Sequence, residues 1–597
     1  MELYKILLVA GILGFASSNG TSNIEEAVSS FSNEIEHWVK SKEEPLSFQH
    51  SINSLAFPAS LRHQSWRSFT GESSKSICVI CQSILRSFMK FRNEGMPDEK
   101  IISNVIKLCT ALKIEDERVC HGAVTLNAPT ILYIMDNKPN LTASTICGVV
   151  LESKFCPLDD EEYNWMVNID DGPGKTVTDK ENNKTINIVQ ITDLHYDPKY
   201  EPNGNSDCGE PACCRKGQNG INAGTKLAGF WGDYNNCDTP WHAVVDALSH
   251  IRDTHTDISH IYFTGDLVDH GVWETTLEGN IQIINDSYLL FQETFGNVPV
   301  YPTLGNHESQ PLNQYAPTTV TNDEINTQWL YKMTADLWIG LGWLPESTRS
   351  TILQGGYYTV SPKKGFRIIA LNNNVCYCYN WWIWYQPKDP DNQLQWLADT
   401  LLQAEKDNEF VHILGHVPAA NEECQSTWKR EYLKIINRFA HIVRAQFNGH
   451  THNDELELFY SSGENKKVNN VAWNGGSVTA FTELNSNYKL YIVDSENYGV
   501  KDYDNWIFNL TLANENINER PQWYKSYSFK EEYGISDLSY DSLSDWYSRL
   551  SRDNELLTRY YRHFFKLADP SLRKECDVTC MRTYMCRIIA SLETPCT

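Results

Sequence analysis

The sequence predicts a layered α/β fold, with an all-helical domain before the α/β domain and a helical domain after it. From residue 185 onward, short β-rich runs alternate with stretches long enough for helices. Between residues 73 and 159, apolar residues recur instead at helical spacing. The 17 cysteines fall into clusters along the chain, which indicates units that are cross-linked separately.

The composition narrows the class of protein. With 597 residues, 41% of them hydrophobic, the chain has room for about three or four domains. The 51 basic and 76 acidic residues give a net charge of −25, which opposes binding to nucleic acid and to anionic membranes near neutral pH. Because carboxylates protonate near pH ~4, membrane contact is expected to depend on pH. We expect no nucleic-acid partner.

Residues 1–18 have the features of a secretory signal peptide: a lysine, an apolar run and small residues after it. The run is shorter than the roughly 20 residues that span a bilayer, so no transmembrane segment is expected. Residues 19–72 form a separate N-terminal segment. We expect the protein to be a monomer. N-x-S/T sequons that predict glycosylation start at Asn19, Asn140, Asn183, Asn285 and Asn509. With the cysteines, they predict a disulfide-bonded glycoprotein that is secreted, lysosomal or both.

Residues 73–159 are predicted to be all-helical, with a break near Gly95 and Pro97. Their six cysteines allow 15 pairings, and spacing alone does not choose among them. The pattern resembles the saposin B-type module, which implies a lipid-interacting domain. The resemblance also implies the nested disulfides Cys78–Cys156, Cys81–Cys147 and Cys109–Cys120. The alternative is a cross-linked helical spacer that does not contact lipid.

The rest of the chain divides into a linker and two domains. Residues 160–184 are polar and contain a Gly-Pro-Gly sequence, which predicts a linker. Residues 185–482 are predicted to form the catalytic α/β domain. Its predicted strands are INIVQI, SHIYFT, VPVYPTL, FRIIAL, FVHILG and IVRAQF. Residues 483–597 lack this strand rhythm and are predicted to form a helical C-terminal domain.

Metal-ligating side chains follow five of the six predicted strands. They are Asp193, His195, Asp266, Asn306, His307, His416, His450 and His452. Strand ends line the functional crevice of α/β folds, so these side chains are expected to converge. Carboxylate, imidazole and amide groups suit divalent first-row ions, and two such ions about 4 Å apart polarise a phosphate and generate hydroxide from water. The sequence therefore predicts a two-metal hydrolase.

Each motif alone is weak, but the ordered set D-x-H, G-D, G-N-H-E, G-H and G-H-x-H resembles the metallophosphoesterase family across residues 185–480. The resemblance implies a β-sandwich flanked by helices. It also implies that Asp266 bridges two metal ions. One ion would be held by Asp193, His195 and His452, and the other by Asn306, His416 and His450.

Further motifs, DLHYDPKY, DCGEPACCRKG, GDLVDHGVW and GNHESQPLN, resemble the acid sphingomyelinase family over nearly the whole mature chain. This resemblance implies hydrolysis of sphingomyelin to ceramide and phosphocholine at a sphingomyelin-containing membrane surface, with two Zn²⁺ ions. Nitrogen and oxygen ligands also accept Mn²⁺ or Fe, so the metal stays open. The implied disulfides are Cys208–Cys213, Cys214–Cys237, Cys576–Cys580, Cys586–Cys596 and Cys376–Cys424, which leaves Cys378 as a free thiol; the alternative pairs Cys378 with Cys424.

The predicted mechanism uses a hydroxide that bridges the two ions as nucleophile and a histidine as general acid. The ceramide alkoxide is a poor leaving group and needs a proton, and imidazole is largely protonated near pH 5. His270 and His307 each lie beside a predicted ligand, and we prefer His270 as the acid. The alternative role for His270 is to orient a metal ligand.

Two other questions stay open at this level. The aromatic segment 376–385 fits either a membrane-facing surface or a buried core. The competing functions are an extracellular nucleotide phosphodiesterase and a non-catalytic saposin-like lipid-binding or lipid-transfer protein.

Overall fold

The fold was taken from a computed structural model of the chain. It describes residues 22–41, 71–152, 155–170, 172, 184–218, 224–420, 422–462 and 466–590. The predicted signal peptide lies outside the described residues. No helix in these ranges combines the length and apolar character needed to cross a bilayer.

In the described ranges 22–41 and 71–152, the N-terminal part of the chain forms five helices. They are α1 (Ser22–Ser41), α2 (Gly71–Asn93), α3 (Asp98–Ala111), α4 (Glu117–Asn137) and α5 (Ala143–Leu151). Helices α2 to α5, with Cys156 in the segment after α5, carry the three nested disulfides, and all three implied pairs are confirmed. We call α2 to α5 the helical module. Helix α1, for which the sequence suggested no structure, packs its apolar side on α2.

The α/β domain contains two mixed sheets. Its strands are β1 (Thr185–Ile191), β2 (Ile258–Phe263), β3 (Val300–Pro302), β4 (Tyr358–Lys363), β5 (Phe366–Ala370), β6 (Phe410–Leu414), β7 (Val443–Asn448), β8 (Leu456–Tyr460), β9 (Val468–Asn474), β10 (Asn487–Asp494), β11 (Val500–Ile507), β12 (Tyr524–Ser528) and β13 (Ile589–Ala590). One sheet has the order β12-β11-β10-β1-β2-β3, and the other β13-β8-β9-β7-β6-β5-β4. All six predicted strands are confirmed.

The two sheets pack face to face, as the predicted sandwich requires. Tyr262 on β2 donates a hydrogen bond of 2.8 Å to His412 on β6 across the interface. Along β6, His412 faces this inner layer, whereas Val411 and Ile413 belong to the outer apolar cluster. This alternation is the two-residue period of a strand buried on both faces.

Helices cover the sandwich and join its strands. They are α6 (Trp241–Thr254), α7 (Leu277–Phe295), α8 (Gln328–Gly340), α9 (Arg349–Gly355), α10 (Trp382–Tyr385), α11 (Gln393–Asp407) and α12 (Ser426–Phe439). Leu397 on α11 and Ile435 on α12 pack in the outer cluster against β5 and β6. Because β1, β2 and β3 are parallel, as are β5, β6 and β7, their carboxyl ends reach one edge of the sandwich.

The region 483–597 differs from the predicted helical domain, because its first part continues the sheet. Strand β10 pairs antiparallel with β1, and β11 and β12 extend the same sheet outward. Its strands are rich in tyrosine, which packs well on a pleated surface, so aromatic composition here favours strand. Helices dominate only later. They are α13 (Leu510–Glu515), α14 (Phe529–Tyr533), α15 (Tyr540–Leu550), α16 (Asn554–Phe564), α17 (Asp569–Arg573) and α18 (Val578–Cys586).

The aromatic segment is buried between the helical module and the catalytic domain. Trp381, Trp382 and Trp384 are each at most 2% exposed. The Trp381 indole donates to Asn127 on α4 at 3.2 Å, so the segment ties the two units together. The core alternative is therefore confirmed.

The remaining disulfides follow the implied pattern. Cys208–Cys213, Cys214–Cys237 and Cys576–Cys580 are formed. Cys376 pairs with Cys424, which decides between the two alternatives. The implied partner of Cys586, Cys596, lies outside the described residues.

Candidate metal centre

The predicted ligands lie close together at the carboxyl edge of the sandwich. Several of them have an unusual backbone conformation. Five of them have positive φ angles, the region that side chains with a Cβ rarely occupy. They are Asp193 (52°), His195 (42°), Asp266 (64°), His450 (73°) and His452 (61°). Such a concentration of strained residues in one place is typical of a functional site.

On one side of the centre, two histidines point their ring nitrogens at each other. His195 Nε2 and His452 Nε2 lie 3.1 Å apart, and Asp193 Oδ1 lies 3.4 Å from His452 Nε2. The His195 Nδ1 donates to the carbonyl of Val268 at 2.8 Å, and the His452 Nδ1 to that of Phe481 at 2.7 Å. These donations leave lone pairs on both Nε2 atoms. Two lone pairs and a carboxylate that face each other repel one another, and this arrangement favours the binding of a cation between them.

On the other side of the metal centre, an amide oxygen and two histidine nitrogens also face one another. The Asn306 oxygen lies 2.9 Å from both His416 Nε2 and His450 Nδ1. Its amide nitrogen donates to Asn313 at 2.7 Å, which fixes the oxygen toward the histidines. His416 Nδ1 donates to the carbonyl of Thr264 at 2.7 Å, and so its Nε2 also presents a lone pair. His450 Nε2 lies 3.1 Å from Glu423, which orients that ring.

Asp266 stands between the two sides. Its Oδ2 atom lies 3.4 Å from His195 Nε2 and 3.0 Å from His416 Nε2. Its Oδ1 atom accepts a hydrogen bond of 2.8 Å from the backbone of His307. The carboxylate therefore faces both groups at once, which is the position that a bridging ligand requires.

The electrostatics of the centre favour added positive charge. Burial opposes the charged forms of His195 and His416, but nearby aspartates outweigh it and raise the pKa of each to about 9. Three overlapping groups of His and Asp place their ligand atoms within 4.8 Å of one another. The donor set of carboxylate, imidazole and amide oxygen fits divalent first-row cations.

His270 and His307 adjoin the ligands and complete the nine predicted site residues. The centre of the His270 ring lies 4.0 Å from the centre of the His195 ring. On Phe481 the His270 ring stacks with a centre-to-centre distance of 4.0 Å. Asp238 accepts from both the backbone (2.6 Å) and Nδ1 (2.7 Å) of His270. Burial, followed by the charges of His195 and His307, lowers the pKa of His270 well below its ordinary value.

Sequence reasoning missed the residues that hold the predicted site residues in place. Asp238 and Glu423 each contact a predicted site residue that is distant in sequence, and Glu308 ties two strand-end loops together. The Glu308 carboxylate accepts from the backbones of Gly305 (2.6 Å) and Leu267 (2.5 Å). Only Glu308 had a signal in the sequence, because it lies within the G-N-H-E motif.

This fold and donor set define a metal-dependent phosphoesterase. The calcineurin-like phosphoesterase profile matches residues 186–454, and that of the acid sphingomyelin phosphodiesterase C-terminal region matches residues 464–594. Sphingomyelin phosphodiesterase 1 of Caenorhabditis elegans is 30% identical over 86% of this chain and 91% of its own. Sphingomyelin phosphodiesterase of Homo sapiens is 32% identical over 87% of this chain and 82% of its own. The chain belongs to the sphingomyelin phosphodiesterase family.

A relative that matches a smaller share of this chain has a different named substrate. Cyclic GMP-AMP phosphodiesterase SMPDL3A of Homo sapiens is 30% identical over 67% of this chain and 86% of its own.

Proposed function

We propose that the chain hydrolyses sphingomyelin to ceramide and phosphocholine as a metal-dependent phosphodiesterase. The observation that supports this most is the convergence of seven candidate metal ligands, with Asp266 between the two groups, in a chain similar to sphingomyelin phosphodiesterases over more than four-fifths of its length.

Two Zn²⁺ ions are the proposed cofactors. Asp193, His195 and His452 would hold one, and Asn306, His416 and His450 would hold the other, with Asp266 as a ligand of both. When bound, the ions supply positive charge to the phosphoryl oxygens and activate water as the nucleophile. Every histidine in these sets has its second nitrogen within hydrogen-bond distance of a carbonyl or carboxylate oxygen, an arrangement that fixes ring orientation at metal sites.

The protein's own contribution to bond cleavage is a proton for the leaving oxygen of ceramide. His270 is the proposed donor, and Asp238 stabilises its charged form through the contact at Nδ1. This leaves Nε2 as the nitrogen that donates. His307, with Nδ1 held by the carbonyl of Asp269 at 3.0 Å, is the second candidate. General acids of this kind contribute about 10²- to 10⁴-fold in rate.

We further propose that the chain acts as a monomer at sphingomyelin-containing membrane surfaces, secreted or in lysosomes. The disulfides belong to an oxidising compartment. The helical module, which overlaps the predicted domain 73–159, would contact lipid, and acidity would reduce the repulsion due to the net charge of −25.

A nucleotide phosphodiesterase is the second candidate, favoured by the similarity to the cyclic GMP-AMP enzyme. The test compares phosphocholine release from sphingomyelin vesicles with hydrolysis of ATP and cyclic GMP-AMP by the same preparation. We expect sphingomyelin to be the preferred substrate. Nucleotide hydrolysis without lipid hydrolysis would assign the second function, and metal-loaded protein without either activity would indicate a lipid-binding protein. The matched control is Asp266→Asn, which should remove every activity that depends on the metal centre.

A further inference from the structure

A chain of alternating charges runs from the helical module to the loop that carries His270. Arg118, in the first turn of α4, lies 3.1 Å from Glu274. Glu274 lies 3.3 Å from Arg215, and Arg215 lies 2.5 Å from Asp269, the residue before His270. The two units are thus joined by ion pairs beside the active site as well as by the aromatic segment.

Asp269 contacts the surroundings of both candidate acids. Its side chain accepts hydrogen bonds from Arg215 Nη1 (2.5 Å) and from the backbone of Gly271 (2.7 Å), which closes the turn around His270. Its backbone carbonyl faces Nδ1 of His307 at 3.0 Å. A shift of residue 269 would therefore move both histidines.

Arg215 is built into the protein rather than lying on its surface. Its side chain is 3% exposed, and a second carboxylate, Asp197, lies 3.4 Å from it. A Cβ atom on residue 271 would come within 2.2 Å of the guanidinium, so only glycine permits this approach. Trp273 lies under the guanidinium at 6.0 Å.

The helical module reaches this buried pair through Arg118. The Arg118 guanidinium forms a two-pronged contact with Glu210 and a third with Glu274. Glu274 pairs with three basic side chains. Its Oε2 atom faces Arg118 and lies 3.2 Å from Lys199, and its Oε1 atom faces Arg215. Removal of Arg118 would free Glu274 to shift away from Arg215.

We propose that Arg215 and Asp269 are positioning residues for the proton-donating histidines, and that Arg118 extends this control to the helical module. The helical module then helps to position the proton donor as well as contacting lipid. This inference rests on the proposed function, since it concerns the acid step of that reaction.

The test uses two soluble phosphodiesters that differ in their leaving group. A short-chain sphingomyelin releases an alkoxide, which needs a proton to leave. Bis(p-nitrophenyl) phosphate releases a nitrophenolate, which leaves almost as well without one. For Asp269→Asn, we expect kcat to fall about 10- to 100-fold on the sphingomyelin and much less on the nitrophenyl ester. For Arg118→Gln we expect a loss of about two- to fivefold with the same selectivity.

The matched control is Arg92→Gln, which removes an arginine that also pairs with two acids, Asp98 and Asp136, inside the helical module. It should leave both rates unchanged. Arg118→Gln and Glu274→Gln combined should lose no more than either alone, because both break one connection.

Several outcomes would overturn the proposal: equal losses on both esters, a fall in bound metal for Asp269→Asn, additive losses in the double variant, or wild-type rates in Arg118→Gln. If Asp269→Asn does not fold, the partly exposed Arg118 decides alone. Wild-type protein that hydrolyses neither ester would instead contradict the proposed function.

Discussion

The contact between Asp238 and His270 offers a sharp test of the acid assignment through Asp238→Asn. Both carboxylate oxygens accept hydrogen bonds from His270, one from Nδ1 at 2.7 Å and one from the backbone at 2.6 Å. An asparagine has one oxygen, so one of the two N–H groups would face an NH₂ group. The acidic group in contact with the imidazole ring would also be gone.

The size of the effect follows from the lost contact. A hydrogen bond to a charged group contributes about 1.5–3 kcal/mol, which corresponds to a loss of about 10- to 150-fold in kcat. Burial and the neighbouring histidines lower the pKa of His270 even with Asp238 in place, so the substitution acts on a charged form that is already disfavoured. His270→Gln removes the proton donor itself and should cost at least as much.

The assay measures kcat on a short-chain sphingomyelin together with bound metal by mass spectrometry. We expect a reduced kcat with unchanged metal content in both variants. His307→Gln, carried in parallel, separates the two candidate acids. Loss of metal from His270→Gln would make it a ligand, and an Asp238→Asn variant as active as wild type would refute the reasoning.

Two further predictions concern stability. Burial lowers the pKa of His412 to about 4, so the stability due to its neutral form is complete above pH ~6.5 and decreases as the pH falls, by about 2 kcal/mol at pH 5. His412→Asn should therefore flatten the decline in melting temperature between pH 7.5 and 5, and an unchanged slope would contradict this. Trp381→Ala, which removes a side chain that is 0% exposed, should destabilise the protein by about 3–5 kcal/mol in denaturant unfolding. Met166→Ala, 74% exposed, is its control and should change stability by less than about 0.5 kcal/mol; equal effects would show that the aromatic segment is not the joint between the units.

The sequence predicted which side chains lie close together, because each follows a recognisable strand. Runs such as FVHILG are rich in β-branched and aromatic residues, and a histidine directly after one must lie at the edge of a sheet. The ordered motifs then restricted which residues could meet.

The supporting contacts could not be predicted in the same way. His195 and His452 are oriented by the carbonyls of Val268 and Phe481, and a carbonyl carries no information about residue type. Asp238 is 32 residues from His270 in a loop without secondary structure, so only the tertiary fold brings them together.

The sheet edges were the weakest part of the fold prediction. Strand β11 alternates between partly buried and buried positions from Asp502 onward, with charged and amide side chains among its aromatic residues, and so lacks the continuous apolar run of a central strand. The aromatic segment was ambiguous for a different reason. Tryptophan suits both cores and membrane surfaces, and the helical module that covers Trp381 decides between them.

The central claim is that seven side chains from distant parts of the chain jointly bind a pair of metal ions. Elemental analysis of the purified, active protein by mass spectrometry tests it most directly. The account predicts two divalent ions per chain. Fully active protein that contains no bound ion would contradict it.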